Sequence, residues 1–271
     1  MQPPSTLRRF QPATVWVAVF LLTLVPHTPL CAQPGSALGR MQSADLLARF
    51  FAPDSRPLRG YRALRTLTAS TRGGKMTASM TAWTSLDPEK GFQFQVVSEE
   101  GSAIIRKKVL LAALQAEQAA VGSNERDQAA LTEANYEFLA MSAVPINLVK
   151  VDVRPRRKHV MLVDGALFLE AESADLVRIE GELSRRPSLW TRNVRILREY
   201  ARIDGVHVPV AMSSTASVLL VGASTFSMTY KYSEINGIAT GPRDFPSLDE
   251  LQAERVTAAV IRRTADVERS R

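Results

Sequence analysis

Residues that could carry chemistry are few in this sequence, and none falls into a catalytic spacing. His159 and His207 lie in separate segments, so neither the H-x-x-x-H nor the H-x-H spacing of a zinc site occurs. The chain also lacks a G-x-S-x-G nucleophile elbow and a glycine-rich phosphate loop. Spacing alone leaves open a carboxylate pair for glycoside cleavage, but the acidic residues alternate along strands as solvated positions do. We therefore expect a protein that is not an enzyme and that holds no metal or cofactor.

Positive charge is concentrated in two stretches between predicted strands. The first, "RPRRKH", runs from Arg154 to His159, and the second, "SRRPSLW", contains Arg185, Arg186 and Trp190. A hairpin connection explains both stretches, because proline breaks a strand ladder and a tryptophan can fold back over the end of a sheet. We therefore expect both stretches to be hairpin connections. Arg185, Arg186 and Trp190 are in addition candidate contacts with a membrane or a partner protein.

The start of the chain has the three parts of a secretory signal peptide. Arg8 and Arg9 precede an apolar run, Val15 to Val25, and the small residue Ala32 follows. We expect cleavage after Ala32 and export to the periplasm, with an uncleaved anchor as the alternative. Removing two arginines takes the net charge from +7 to +5 (7 − 2), which is too modest to predict a nucleic-acid partner.

The rest of the chain is expected to form a single domain. A disordered lead-in is predicted over 33–42, before a domain that spans 43–271. Helical spacing of apolar residues predicts a short helix over 43–51, and a run free of glycine and proline predicts a longer one over 103–121. Near the end, Ser247 caps a predicted C-terminal helix.

Most of the remaining sequence alternates with a period of two, which is typical of β-strands. Turn signals such as Gly73-Gly74, the stretch 86–91 and Asp204-Gly205 separate these segments at short intervals, which favours antiparallel neighbours. The pattern predicts nine or ten strands and an α+β fold dominated by one curved antiparallel sheet.

Three stretches resemble the periplasmic lipoprotein carriers of the LolA/LolB-like type. They are Asp152 to Pro155, Gly165 to Glu170 and Leu176 to Glu180, which match the strand-turn-strand core of that family. Over roughly residues 43–236 the chain also resembles exported homologues of outer-membrane lipoprotein-sorting proteins. The resemblance implies an unclosed half β-barrel, with helices covering a concave apolar face that holds acyl chains.

These observations lead us to expect a carrier or sensor that binds lipid or lipoprotein acyl chains. An envelope membrane or a transporter would be its partner. The alternative is a structural or assembly protein of the envelope with a filled core. A hydrolase is the third candidate. Apolar residues that share strand faces are the candidate ligand contacts: Met80, Phe92, Phe94, Ile179, Phe226, Met228 and Tyr230.

Overall fold

The protein is built around one antiparallel sheet of 11 strands. The computed structural model describes residues 35–52, 56–120, 130–187, 191–219, 222–241 and 249–250. The strands are β1 (Tyr61–Thr71), β2 (Met76–Asp87), β3 (Gly91–Gly101), β4 (Tyr136–Val144), β5 (Leu148–Pro155), β6 (Val163–Glu170), β7 (Leu176–Leu183), β8 (Thr191–Ile203), β9 (Val206–Val218), β10 (Gly222–Ile235) and β11 (Ile238–Ala239). The helices are α1 (Gly35–Phe51), α2 (Ala103–Ile105) and α3 (Ala112–Ala120), with a π-helical turn at Arg106–Leu111 that joins α2 to α3.

The strand order explains how the sheet is assembled from hairpins. It runs β3-β2-β1-β10-β9-β8-β7-β6-β5-β4, and β11 pairs with β10. All neighbours are consecutive in the chain except β1 and β10, which join a three-stranded meander to a seven-stranded one. The end strands β3 and β4 do not pair with each other, so the sheet is unclosed, as predicted.

The predicted turns lie where the chain reverses. Asp204 and Gly205, both with positive φ, connect β8 to β9, as expected for a tight hairpin turn. Between β2 and β3, the Asp87 carboxylate accepts hydrogen bonds from the backbone N–H groups of Glu89 and Lys90 at 2.8 and 2.9 Å. Such side-chain contacts favour a turn over a continued strand.

One face of the sheet, which we call the packed face, faces the helices. Cross-strand partners lie on the same face, so the register defines a central row of residues that crosses nine strands from β2 to β4. The row reads Met80, Leu67, Met228, Met212, Arg198, Ile179, Leu167, Val151 and Met141. Every member is apolar except Arg198.

Two apolar clusters occupy the packed face, and each includes helical residues. The first cluster joins β1, β2, β3, β8, β9 and β10 to Ile105, Leu110 and Leu114 of the helical stretch 103–120. The second cluster joins β4 to β7 to Leu46 of α1, and Phe51 meets Phe138 edge to face with ring centroids 5.0 Å apart. The helices are thus attached to opposite halves of the sheet.

The opposite face carries a smaller apolar cluster and a buried ion pair. Leu148, Ala166 and Phe168 form the cluster. Beside it, Arg178 of β7 donates to the Glu199 carboxylate at 2.7 Å and to Asp249 at 3.0 Å.

The helices differ from the sequence prediction in their bounds. α1 begins at Gly35, so residues 35–42, which were expected to form a disordered lead-in, are helical. The helix predicted over 103–121 is present over 103–120, but its middle is a π-helical turn. Of the predicted C-terminal helix, Asp249 and Glu250 are helical, and the remainder lies outside the described residues, as does the predicted signal peptide. Among the described residues, no helix combines the length and apolar character needed to span a membrane.

Candidate functional site

The predicted ligand contacts divide between the two clusters of the packed face. Three of them, Met80, Phe92 and Met228, are buried in the first cluster. Phe94, Phe226 and Tyr230 pack against the same cluster and are partly exposed. Ile179 belongs to the second cluster, so the structure separates it from the other six. Their role in ligand binding stays a prediction.

An apolar cleft opens where the helical stretch 103–109 passes over the ends of β1, β9 and β10. Its volume is about 350 Å³, and its lining is mostly apolar. The lining residues are Ala69, Ser70, Thr71, Ile104, Ile105, Lys108, Val109, Ser214, Ala216, Val218, Ser224, Thr225 and Phe226. Phe226 is the predicted ligand contact that lines this apolar cleft. A concave, mostly apolar surface with a few polar groups is what small-molecule sites usually present.

Unpacked apolar side chains distinguish the cleft from the filled clusters. Ile104 is 67% exposed and Val109 is 39% exposed, although both are large aliphatic residues on a helix that packs onto the sheet. Ile105, between them in sequence, is buried in the first cluster. Ile105 therefore anchors this part of the helical stretch to the sheet, while Ile104 and Val109 keep apolar surface exposed.

A larger groove of about 860 Å³ lies at the other end of the same strands. Charges of both signs line it, including Arg59, Arg62, Asp87 and Glu234. None of the predicted ligand contacts reaches it. Because charges of both signs line it, the groove fits an apolar ligand less well than the smaller cleft does.

A buried arginine lies beside the predicted contacts, and the sequence patterns did not single it out. Arg65 of β1 is 1% exposed, and it donates to the Glu117 carboxylate of α3 at 2.9 Å and to the Tyr61 hydroxyl. Its guanidinium lies over the rings of Tyr230 and Phe92, 4.5 and 4.9 Å from their centroids. Burial disfavours the charge of Arg65, but the hydrogen bond to Glu117 and the surrounding groups outweigh this and raise the pKa of Arg65 above its ordinary value. The ion pair attaches α3 to the sheet.

Arg198 is a second packed-face arginine, and its environment differs. It is exposed, and the structure gives it no hydrogen bond or carboxylate partner among the described residues. Its neighbours in the central row are Ile179 and Met212. The sequence could not single it out, because in "RILREY" its spacing is that of an ordinary solvated strand position.

The two basic stretches lie at the same end of the sheet. The Ser184 hydroxyl donates to the carbonyl of His159 at 2.9 Å and accepts from its backbone N–H at 3.0 Å. The connection after β5 therefore touches the connection after β7, in which Arg185 and Arg186 are exposed. Trp190 lies outside the described residues. Contact of these residues with a membrane or a partner stays a prediction.

His159 and His207 contact different parts of the protein, and each makes a structural contact. The ring of His207 stacks on Tyr200 with centroids 5.1 Å apart, and its Nε2 lies 2.6 Å from the carbonyl oxygen of Leu176. His159 Nδ1 accepts a hydrogen bond from the backbone N–H of Met161 at 3.3 Å. Within the described part of the chain, no three acidic, histidine or cysteine side chains lie close enough to hold a metal ion.

No protein-family model and no curated protein matches this chain. The geometry of the packed face is therefore the basis for a functional assignment.

Proposed function

We propose that the protein is an exported, non-enzymatic carrier or sensor that binds an apolar ligand, such as a lipid or the acyl chains of a lipoprotein. In this proposal, the sheet is a half-barrel whose concave face the helices cover. The periplasm is its site of action, as the amino-terminal sequence pattern suggests, and a role in outer-membrane lipoprotein sorting would be consistent with it.

The observation that supports binding is the apolar cleft beneath the helical stretch 103–109. Aliphatic side chains that remain exposed at a mostly apolar concavity are costly in water, and a ligand that covers them gains roughly 25 cal/mol for each Å² of apolar surface removed from water. Ile104 and Val109 offer such surface, and Phe226 forms part of the floor. Each buried CH₂ group contributes about 0.8 kcal/mol, so a chain of about ten CH₂ groups contributes about 8 kcal/mol before the costs of association.

A structural or assembly protein of the envelope is the second candidate, and a specific observation favours it. Met80, Phe92, Met228 and Ile179 are buried by protein neighbours, as residues of a filled core are. In that case the cleft would be a shallow surface feature without a ligand.

A matched pair of substitutions tests the carrier proposal. Ile104→Asp places a charge in the cleft, whereas Val97→Asp places the same charge on an exposed aliphatic residue of β3 that does not line the cleft. Both positions are exposed, at 67% and 57%, so neither change should unfold the protein. We expect Ile104→Asp to weaken binding of a fluorescent fatty acid by tenfold or more, about 1.4 kcal/mol, and Val97→Asp to leave it unchanged.

The outcomes separate the two candidate functions. If the wild-type protein binds no acyl probe, the carrier proposal fails and the structural candidate takes its place. If both variants bind as the wild type does, the ligand lies elsewhere and the cleft is not the site.

A further inference from the structure

The central row of the packed face is apolar throughout except at one position near its middle. Arg198 is flanked there by Ile179 on β7 and Met212 on β9. A charge inside an otherwise apolar row is costly unless it is hydrated or meets an anion. The side chain is exposed and has no carboxylate partner among the described residues, so an anion has access to it.

Arg198 lies between the two clusters rather than inside either. Burial raises the pKa of Tyr230, in the first cluster, to about 12, and the charges of Arg65 and, less strongly, Arg198 oppose that rise. Burial also raises the pKa of Tyr136, in the second cluster, and Arg198 again opposes the rise. The charge of Arg198 therefore acts on a phenol from each half of the sheet. The acidic side chain that reaches Tyr230, Glu117, is already bound to Arg65.

The register also connects Arg198 to the apolar cleft. Ile196, two residues earlier on β8, pairs with Ser214, and Ser214 lines the cleft. Two residues along a strand cover about 7 Å. The cleft and the guanidinium are thus neighbours on one face, one apolar and one cationic.

We propose that Arg198 binds the anionic head of a single-chain amphiphile whose tail occupies the apolar cleft. The ligand class is a carboxylate or phosphate with one acyl chain, because arginine pairs well with both groups and a cleft of about 350 Å³ is at the small end of ligand sites. This inference rests on the proposed carrier function and narrows it to a charged ligand.

Two probes with the same acyl chain test the inference on the whole protein: laurate, which is anionic, and monolaurin, which is neutral. We expect the wild type to bind laurate about tenfold more tightly than monolaurin, since a charge-assisted hydrogen bond is roughly twice as strong as a neutral one. Arg198→Gln should abolish that preference and leave monolaurin affinity unchanged, and Arg198→Lys should restore part of it. Arg195→Gln is the matched control, because Arg195 is exposed on the same strand but pairs with Thr215 on the other face.

Each outcome decides the inference. A wild type that binds both probes equally overturns it and leaves the carrier function intact. If Arg198→Gln binds neither laurate nor monolaurin, the inference is also overturned, because the arginine would then stabilise the fold instead of binding the ligand's head. A wild type that binds neither probe overturns the inference together with the carrier function. A dodecyl phosphate arm, compared with laurate, distinguishes a phosphate from a carboxylate head.

Discussion

At the scale of single residues, the sheet buries two arginines, and each stays charged because a carboxylate reaches it. Arg65 is bound by Glu117 on the packed face, and Arg178 is bound by Glu199 on the other. Burial disfavours the charge of Arg178, but its hydrogen bonds to Glu199 and Asp249 outweigh that effect and raise its pKa. A buried pair is poor evidence for stability in itself, yet removing one partner is costly.

Arg178 offers a test of that cost, because its two hydrogen-bonded carboxylates differ in exposure. The Glu199 side chain is 10% exposed and that of Asp249 is 70% exposed. We expect Glu199→Gln to lower the free energy of unfolding by about 2 kcal/mol or more. Asp249→Asn should lower it by less than about 1 kcal/mol, because water screens an exposed pair. Urea denaturation measures both, and equal losses would contradict this account of Arg178.

A second residue-scale prediction concerns acid stability. Arg202 donates to both carboxylate oxygens of Asp175, at 2.8 and 2.5 Å, and this contact holds the pKa of Asp175 below its ordinary value. A lowered pKa in the folded state stabilises the protein above the unfolded value of about 4, and that contribution is lost as the pH falls through the folded value. Asp175→Asn should therefore reduce the free energy of unfolding at neutral pH. The difference from the wild type should shrink below pH ~4, and a difference that stays constant with pH would refute the prediction.

Residue patterns along the strands could not identify the charged groups of the packed face. In "YRALRTL", alternation puts Arg65 on the face of Ala63 and Leu67 and puts Arg62 on the other face, but it does not show that the arginine is buried. Its burial depends on its partner Glu117, which comes from a helix 52 residues along the chain. The apolar candidates were easier to find, because alternation in "TFSMTYKY" puts Phe226, Met228 and Tyr230 on one face.

At the scale of elements, the hairpins were predictable because turn chemistry is local. The structure has 11 strands where the pattern predicts nine or ten, and β4 shows how alternation can miss a strand. It is an edge strand with a register shift between Phe138 and Met141, so its apolar residues do not alternate regularly.

The continuous helix prediction over 103–121 also missed the π-helical turn, which no composition rule distinguishes from an α-helix.

The π-helical turn sets which side chains of the helical stretch reach the sheet. Leu110 is buried in the first cluster, whereas the adjacent Val109 is 39% exposed. We expect Leu110→Ala to lower the free energy of unfolding by about 2–5 kcal/mol, as truncation of a buried leucine does. Val109→Ala should change it by no more than about 0.5 kcal/mol. Thermal or chemical unfolding of the two variants compares them directly, and similar small losses would mean that the helical stretch is not anchored by Leu110.

At the scale of the whole molecule, an unclosed sheet leaves two edges, and the β3 edge ends in two exposed carboxylates. Its last residues include Glu99 and Glu100, which follow the exposed Val97 by two and three residues. Charges on an edge strand oppose pairing with a second molecule. The carboxylates of β3 therefore protect this edge from pairing with a second molecule.

That protection predicts an effect on aggregation. Glu100→Val should increase light scattering on warming, while Glu89→Val, which makes the same change in the exposed turn before β3, should not. Both variants lose one negative charge, so a general effect of net charge would appear in both. Equal scattering would show that the β3 edge does not need its carboxylates.

The pairing of β1 with β10 has a consequence for how the chain folds. Leu67 pairs with Met228, which lies 161 residues later in the sequence (228 − 67). Contacts of such high sequence separation form slowly, because the chain between them must first be closed into a loop. Until β10 pairs, the three-stranded meander has an open edge at β1 as well as at β3, and β1 bears the apolar residues Ala63 and Leu67. Since an unpaired strand edge is prone to aggregation, a folding chain of this protein most needs a chaperone before β1 and β10 pair.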